Sequence, residues 1–221
     1  MSSVAVVVPV YRNAATLPPL ATRLGAALAG LDWRLRLVVD ACPEGSAEVA
    51  VRLAAADPRV AVTGLVVNGG QHAALRQGLA DEPDADVWVC MDADLQDPPE
   101  AVPLLLDRLA AGDVEAVFAG RRGAYESWPR RLSGGLHRRV AARLTGLPPD
   151  AGAFLALGPA VRAAVLRVES PSVVLAVGVA RRPVTSVPVL RDLRPEGRSA
   201  WTARARLVQS VRSLTWALRR R

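Results

Sequence analysis

The chain has 221 residues and a net charge of +7, and all 28 of its basic side chains are arginine. Apolar residues make up 51% of it, which fits a folded domain with a sizeable core and excludes a disordered chain. Two cysteines and two histidines exclude a disulfide framework and a Cys/His metal cluster, and the positive charge favours anionic partners such as phosphates or acidic lipid surfaces.

The first half alternates between short apolar runs and amphipathic stretches. Strands are predicted over 4–10, 34–40, 60–67, 86–91 and 114–120, and helices over 14–29, 45–56, 71–80 and 99–111. This βαβα order implies an α/β fold with a mostly parallel sheet flanked by helices. Ligands of such sheets bind beyond the carboxyl ends of the strands. Those ends carry Pro9-Val10-Tyr11, Asp40, Asn68-Gly69-Gly70 and Asp92-Ala93-Asp94. After residue 120 the sequence is basic and loop-rich. A short helix is predicted near 159–167, a strand over 181–190, and a basic helix at the C-terminal end.

The N-terminus lacks a basic leader region, and Pro9 interrupts its first apolar run, so no signal peptide is expected. The longest uncharged run, Val60 to Leu75, contains Asn68, Gly69, Gly70, Gln71 and His72, so no spanning helix is expected. The expected location is cytoplasmic, with peripheral contact at the inner face of the membrane as an option. Nucleic acid is not an expected partner, since no zinc-finger spacing or aromatic-rich RNA motif is present. Neither G-x-G-x-x-G after the first strand nor a lysine-bearing phosphate loop exists.

The stretch VCMDADLQDPPE places Asp92, Asp94 and Asp97 within six residues of one another. Like charges this close repel unless a cation sits among them. Two readings stand at this point. One is a polar loop with Asp97 as a helix cap. The other is a hard-metal site at the sheet edge, taking Mg²⁺ or Mn²⁺.

Several ordered segments together resemble the family 2 glycosyltransferases of GT-A fold, on the branch of the dolichol- and polyprenyl-phosphate hexosyltransferases. VVVPVYRNAATLPPL, LVVDACPEGSAEVA, NGGQHAALRQGL, MDADLQDPPE, AGRRGAYESWPRRLS, PPDAGAF and RPEGRSAW carry the resemblance. It implies one catalytic domain over 1–199, with a nucleotide-sugar half (1–120) and an acceptor half (121–199), followed by a basic amphipathic helix over 200–221. It implies that Asp92, Asp94 and Gln96 surround the metal, with Asp94 the firmest. Pro9, Tyr11, Asp40, Gln71, Asp92 and Arg194 would serve the nucleoside-diphosphate sugar donor. Arg122 and Arg131 would clamp an anionic group of the acceptor, and Asp150 is the candidate general base for a hydroxyl acceptor. The sequence departs from the family pattern at Ala41, at Asn13 and in SPSVVLAVGV.

The activity implied is metal-dependent, inverting transfer of a hexose to a polyprenyl-phosphate-type acceptor. The alternatives are a soluble enzyme with a small-molecule acceptor, and a nucleotide-sugar-binding protein without catalysis. His72 and His137 are read as surface or helix polar residues, and Trp128 and Trp201 as packing as readily as contacts. In the C-terminal helix, Leu207, Val211, Leu214 and Leu218 form one stripe among arginines. That stripe suits a membrane surface, docking on the body or a homodimer contact.

Overall fold

The computed structural model describes residues 3–122, 145–192, 215–216 and 218–219, excluding the side chains of Arg121 and Arg122. Among them the chain builds β1 (Val4–Val10), α1 (Leu17–Ala27), β2 (Trp33–Asp40), α2 (Ser46–Ala56), β3 (Val60–Leu65), α3 (Gln71–Asp81) and β4 (Val87–Cys90). A 3₁₀ turn over Pro99–Ala101 leads into α4 (Val102–Ala110). Then come β5 (Ala116–Arg122), β6 (Leu155–Leu157), α5 (Pro159–Arg167), α6 (Val173–Val179) and β7 (Val184–Leu190).

The strands form one seven-stranded sheet in the order β3-β2-β1-β4-β6-β5-β7. β1 pairs in parallel with β2 and β4, β2 with β3, and β5 with β7. β6 is antiparallel to both β4 and β5. Two antiparallel steps restore the direction, so six strands end on the same edge. The chain enters β6 from that edge, which brings the preceding loop there as well.

Both faces of the sheet are covered, which is why β1 is a nearly continuous apolar run. One face packs against Leu17, Leu20, Leu24 and Leu105 from α1 and α4. The other packs against Leu75, Leu79, Val161 and Val177 from α3, α5 and α6. Gly78 permits the tight seating of α3, because a Cβ there would collide with Val7 and Val38.

Several predicted bounds shift by one to three residues, and three differences have a physical reason. β3 stops at Leu65 rather than residue 67, since Val66 and Val67 are 96% and 75% exposed. α1 begins at Leu17 rather than 14, with its prolines in the first turn, where the missing N–H costs nothing. The sequence reading assigned no strand to 155–157 and no helix to 173–179. Runs of three and seven residues carry too little periodicity to be seen.

Candidate active site

The residues after β4 alternate. Asp92, Asp94 and Gln96 are half-buried, while Ala93, Leu95 and Asp97 are buried. Ala93 and Leu95 join the core beneath α1, which fixes the loop from below. Leu95 adopts a left-handed backbone (φ 62°), so the segment turns instead of continuing as a strand. Asp92, Asp94 and Gln96 thereby share the outer side of the loop at the carboxyl edge. The Asp94 side chain accepts the Gln96 backbone N–H at 3.1 Å, which closes the local turn.

The repulsion among these carboxylates is answered from the far end of the chain. Arg191, the residue after β7, is 7% exposed at its side chain. Its Nε donates to Asp97 Oδ1 at 2.8 Å, and its Nη2 lies 3.7 Å from Asp92 Oδ2. Gln71, at the start of α3, donates to the other oxygen of Asp92 at 2.6 Å. Thr16 Oγ1 donates to the Ala93 carbonyl at 2.6 Å, and Asp192 N donates to the Gln96 carbonyl at 2.9 Å. Arg23 on α1 forks onto Glu100 (2.8 and 2.7 Å) and reaches Asp192 at 3.1 Å. Asp97 is thus not a helix cap. It is the buried partner of Arg191 and also receives the Asp92 N–H at 3.4 Å.

Asp40 ends β2 and is 3% exposed. Its two oxygens accept the backbone N–H groups of Gly69 and Gly70 at 2.7 and 2.8 Å. Asn68 Nδ2 donates to its carbonyl at 3.0 Å. Asp40 therefore ties the β3–α3 loop to the edge, and a nucleobase would have to share an already engaged carboxylate. Pro9 is half-buried within β1, and half-buried Tyr11 follows it, with the Arg12 guanidinium 5.4 Å from its ring centre. Asn13, standing in a segment where the resemblance has glutamate, accepts the Tyr11 N–H at 3.1 Å and shapes the turn.

Asp150 lies in the loop entering β6. It packs against Gly120 of β5, where a Cβ would collide with its carboxylate. The backbone of Arg122 ends β5 opposite Leu190, on the same edge as Asp92. Arg131 and Arg194 lie outside the described residues, as do His137, Trp128, Trp201 and most of the C-terminal stripe. From that helix, Leu218 is 57% exposed and the Trp216 indole N–H donates to the Glu169 carbonyl at 3.0 Å.

A cavity of about 530 Å³ runs along α3, lined by Gly70, Gln71, His72, Arg76, Leu166 and Ser170. Gln71 links it to Asp92. His72 sits on helix α3, as one of the two expected readings had it, and is half-buried. Its Nδ1 is buried without a hydrogen-bond partner, and burial lowers the imidazole pKa to about 4. Only the fold shows this, because one helical position decides which way a ring points.

The donor set suits a hard cation. Asp94 and Gln96 present oxygen ligands beside Asp92 on one side of a rigid loop. Among the described residues no group of three or more His, Cys, Asp or Glu side chains converges as a metal cage. An ion held there would take further oxygens from water or from a ligand such as a diphosphate. Sequence reasoning missed Arg191. Its signal was the basic residue directly after a strand ending on the same edge.

Solved structures share this architecture. Glucosyl-3-phosphoglycerate synthase from Mycobacterium tuberculosis, in complex with Mn²⁺, UDP and phosphoglyceric acid, matches with a TM-score of 0.72 at 17% identity, over 98% of this chain and 77% of that one. A second structure of that synthase, with phosphoglyceric acid, matches with a TM-score of 0.73 at 19% identity, over 99% and 80%. Fold and edge define the class: this is the GT-A glycosyltransferase fold. The chain belongs to glycosyl transferase family 2, whose model matches residues 5–154.

The undecaprenyl-phosphate 4-deoxy-4-formamido-L-arabinose transferase of Aeromonas hydrophila is 35% identical over 148 residues, 65% of this chain and 44% of that protein. The enzyme of the same name from Pseudomonas paraeruginosa is 39% identical over 136 residues, 58% and 40%. The chain thus spans less than half the length of these relatives.

Proposed function

We propose that the chain carries the catalytic domain of a metal-dependent, inverting glycosyltransferase. It would move a hexose from a nucleoside-diphosphate sugar to a polyprenyl-phosphate-type acceptor. The observation that carries this reading is the outer side of the 92–96 loop, where Asp92, Asp94 and Gln96 stand together at the edge where such sheets bind ligands. The polyprenyl-phosphate part follows the relatives at 35–39% identity.

Asp94, with Asp92 and Gln96, would hold Mg²⁺ or Mn²⁺. Bound there, the ion would supply Lewis-acid neutralisation of charge on the departing diphosphate. The chain's own residues do the rest. Gln71 and Arg191 fix Asp92 in place, so the loop need not reorganise when the donor arrives. Tyr11 and Pro9 would border the base, beside the loop that Asp40 clamps. A phosphate acceptor is ionised near neutral pH and attacks without a general base. A hydroxyl acceptor would need one, and Asp150 stands on the same edge for that task. Arg122, Arg131 and Arg194 would hold anionic groups, with a planar fork that suits phosphate oxygens. The cavity beside Gln71 has the volume of a small-ligand site and would take the acceptor's head.

The test is transfer from a panel of nucleoside-diphosphate sugars, with Mg²⁺ or Mn²⁺, to a short-chain polyprenyl phosphate and to water-soluble phosphate-bearing acceptors. Asp94→Asn should lower turnover about 1,000-fold, or about 4 kcal/mol, with the fold intact. Full activity in that variant, or in excess chelator, would sink the metal-dependent reading. Transfer to soluble acceptors alone would replace the lipid acceptor with a small molecule.

A further inference from the structure

Three aspartates within six residues need compensation, and Arg191 supplies it from a strand on the far side of the sheet. The guanidinium bonds to Asp97 at 2.8 Å and lies 3.7 Å from Asp92. Burial by itself would lower its proton affinity, yet Asp97, Asp92 and Asp94 leave its pKa raised above the ordinary value. An arginine keeps its charge at any physiological pH, so this is a fixed cation. Its neighbour Asp192 bonds to Gln96 through the backbone and to Arg23 through its side chain, which limits how far Arg191 can swing away.

We infer that Arg191 is a positioning residue that couples metal uptake to donor uptake: as a built-in cation beside Asp92, it disfavours a divalent ion on its own and favours one arriving on a diphosphate. The inference rests on the metal-dependent reading above. A bare divalent ion approaching Asp92 meets the guanidinium's repulsion. The same ion on a diphosphate brings excess negative charge, which the guanidinium attracts. The sign of Arg191's contribution therefore reverses between the two ligands. By thermodynamic reciprocity, metal and diphosphate then strengthen each other's binding by the same factor.

The experiment is equilibrium dialysis of Mn²⁺ against the full chain. It is run alone, with UDP, and with inorganic pyrophosphate as a base-independent probe, correcting for the complex of metal and probe in solution. The wild-type chain should bind Mn²⁺ at least tenfold more weakly alone than with either diphosphate. Arg191→Gln should bind Mn²⁺ alone at least tenfold more tightly than wild type, and its coupling to diphosphate should shrink. Arg191→Lys keeps the charge and should stay within a few-fold of wild type.

Should Arg191→Gln not fold, the wild-type and Arg191→Lys chains still decide the matter. Wild-type Mn²⁺ affinity that is the same with and without diphosphate overturns the coupling and leaves the metal site standing. So does a lysine variant that gains Mn²⁺ affinity in the absence of diphosphate. Absence of Mn²⁺ uptake under every condition overturns both the inference and the metal-dependent reading.

Discussion

Asp40 and Asp97 are both buried carboxylates on the ligand edge of the sheet, 3% and 1% exposed, and they are satisfied in opposite ways. Asp40 takes two neutral backbone N–H groups from a glycine pair about thirty residues away. Asp97 takes a full counter-charge from Arg191, 94 residues away. The first arrangement leaves a net charge on the edge and fixes a loop. The second neutralises a charge and braces a neighbouring one, Asp92. The difference teaches that one edge can hold its shape by local turns beside Asp40 and by long-range ion pairing in the loop after β4.

The comparison can be broken by removing each acceptor. Asp97→Ala removes the hydrogen-bonded counter-charge of a guanidinium that is 93% buried at its side chain, with Asp92 still 3.7 Å away, and should cost about 3 kcal/mol in urea unfolding. Adding Arg191→Met to it should recover part of that loss, because the buried charge goes as well. A double variant as unstable as the single one would mean the pair is not the source.

Acid should act next, on the loop that Asp40 holds. His72 has its pKa lowered to about 4 by burial, so the folded chain binds its proton later than the unfolded chain does. Its contribution to stability is present above about pH 6.5 and is lost as pH falls toward 4, by up to about 3 kcal/mol. A series of unfolding curves across that range checks it, and His72→Gln should remove that part of the slope.

Asp40→Ala should cost less than Asp97→Ala, about 1–2 kcal/mol in the same urea measurement. Gly69 and Gly70 are exposed and half-buried, so water can replace part of what the carboxylate supplied. Equal losses at the two positions would end the contrast. The smallest effect is expected at Ala41, which follows Asp40 with a left-handed φ of 45°. Ala41→Gly should raise stability by about 0.5–1 kcal/mol, read as a shift in melting temperature.

The same contrast explains what the sequence made legible. The parallel core strands, α3 and the Asp92-Ala93-Asp94 stretch were readable because each rests on a local pattern: apolar runs, helical spacing, D-x-D before proline. The βαβα order placed Asp40 and Asp92 on one edge, and the family resemblance added Gln96. Arg191 was not readable, because its role depends on β7 pairing with β5 across an antiparallel insertion. RDLRPEGRSAW offers three arginines, and only its place directly after the strand separates Arg191 from Arg194. The contact crosses the expected halves: Arg191, from the 121–199 half, supports the 92–97 loop of the 1–120 half. Of the two readings open for Asp97, the helix cap fails for the same reason, since a residue before Pro98-Pro99 looks like a helix start whatever its true partner is.

The 94-residue separation between Asp97 and Arg191 also imposes an order in time. At about 5–20 residues per second, a ribosome delivers the carboxylates roughly 5–20 seconds before their counter-charge. In that interval the strands of the nucleotide end can already pair, while the loop after β4 must keep its carboxylates in water. A chain released before residue 191 would hold most of the sheet and the carboxylates of the 92–97 loop, yet lack the cation that lets Asp97 be buried. β7 is therefore a late requirement for the first half: synthesis must pass residue 191 before the loop after β4 can close over its own charges.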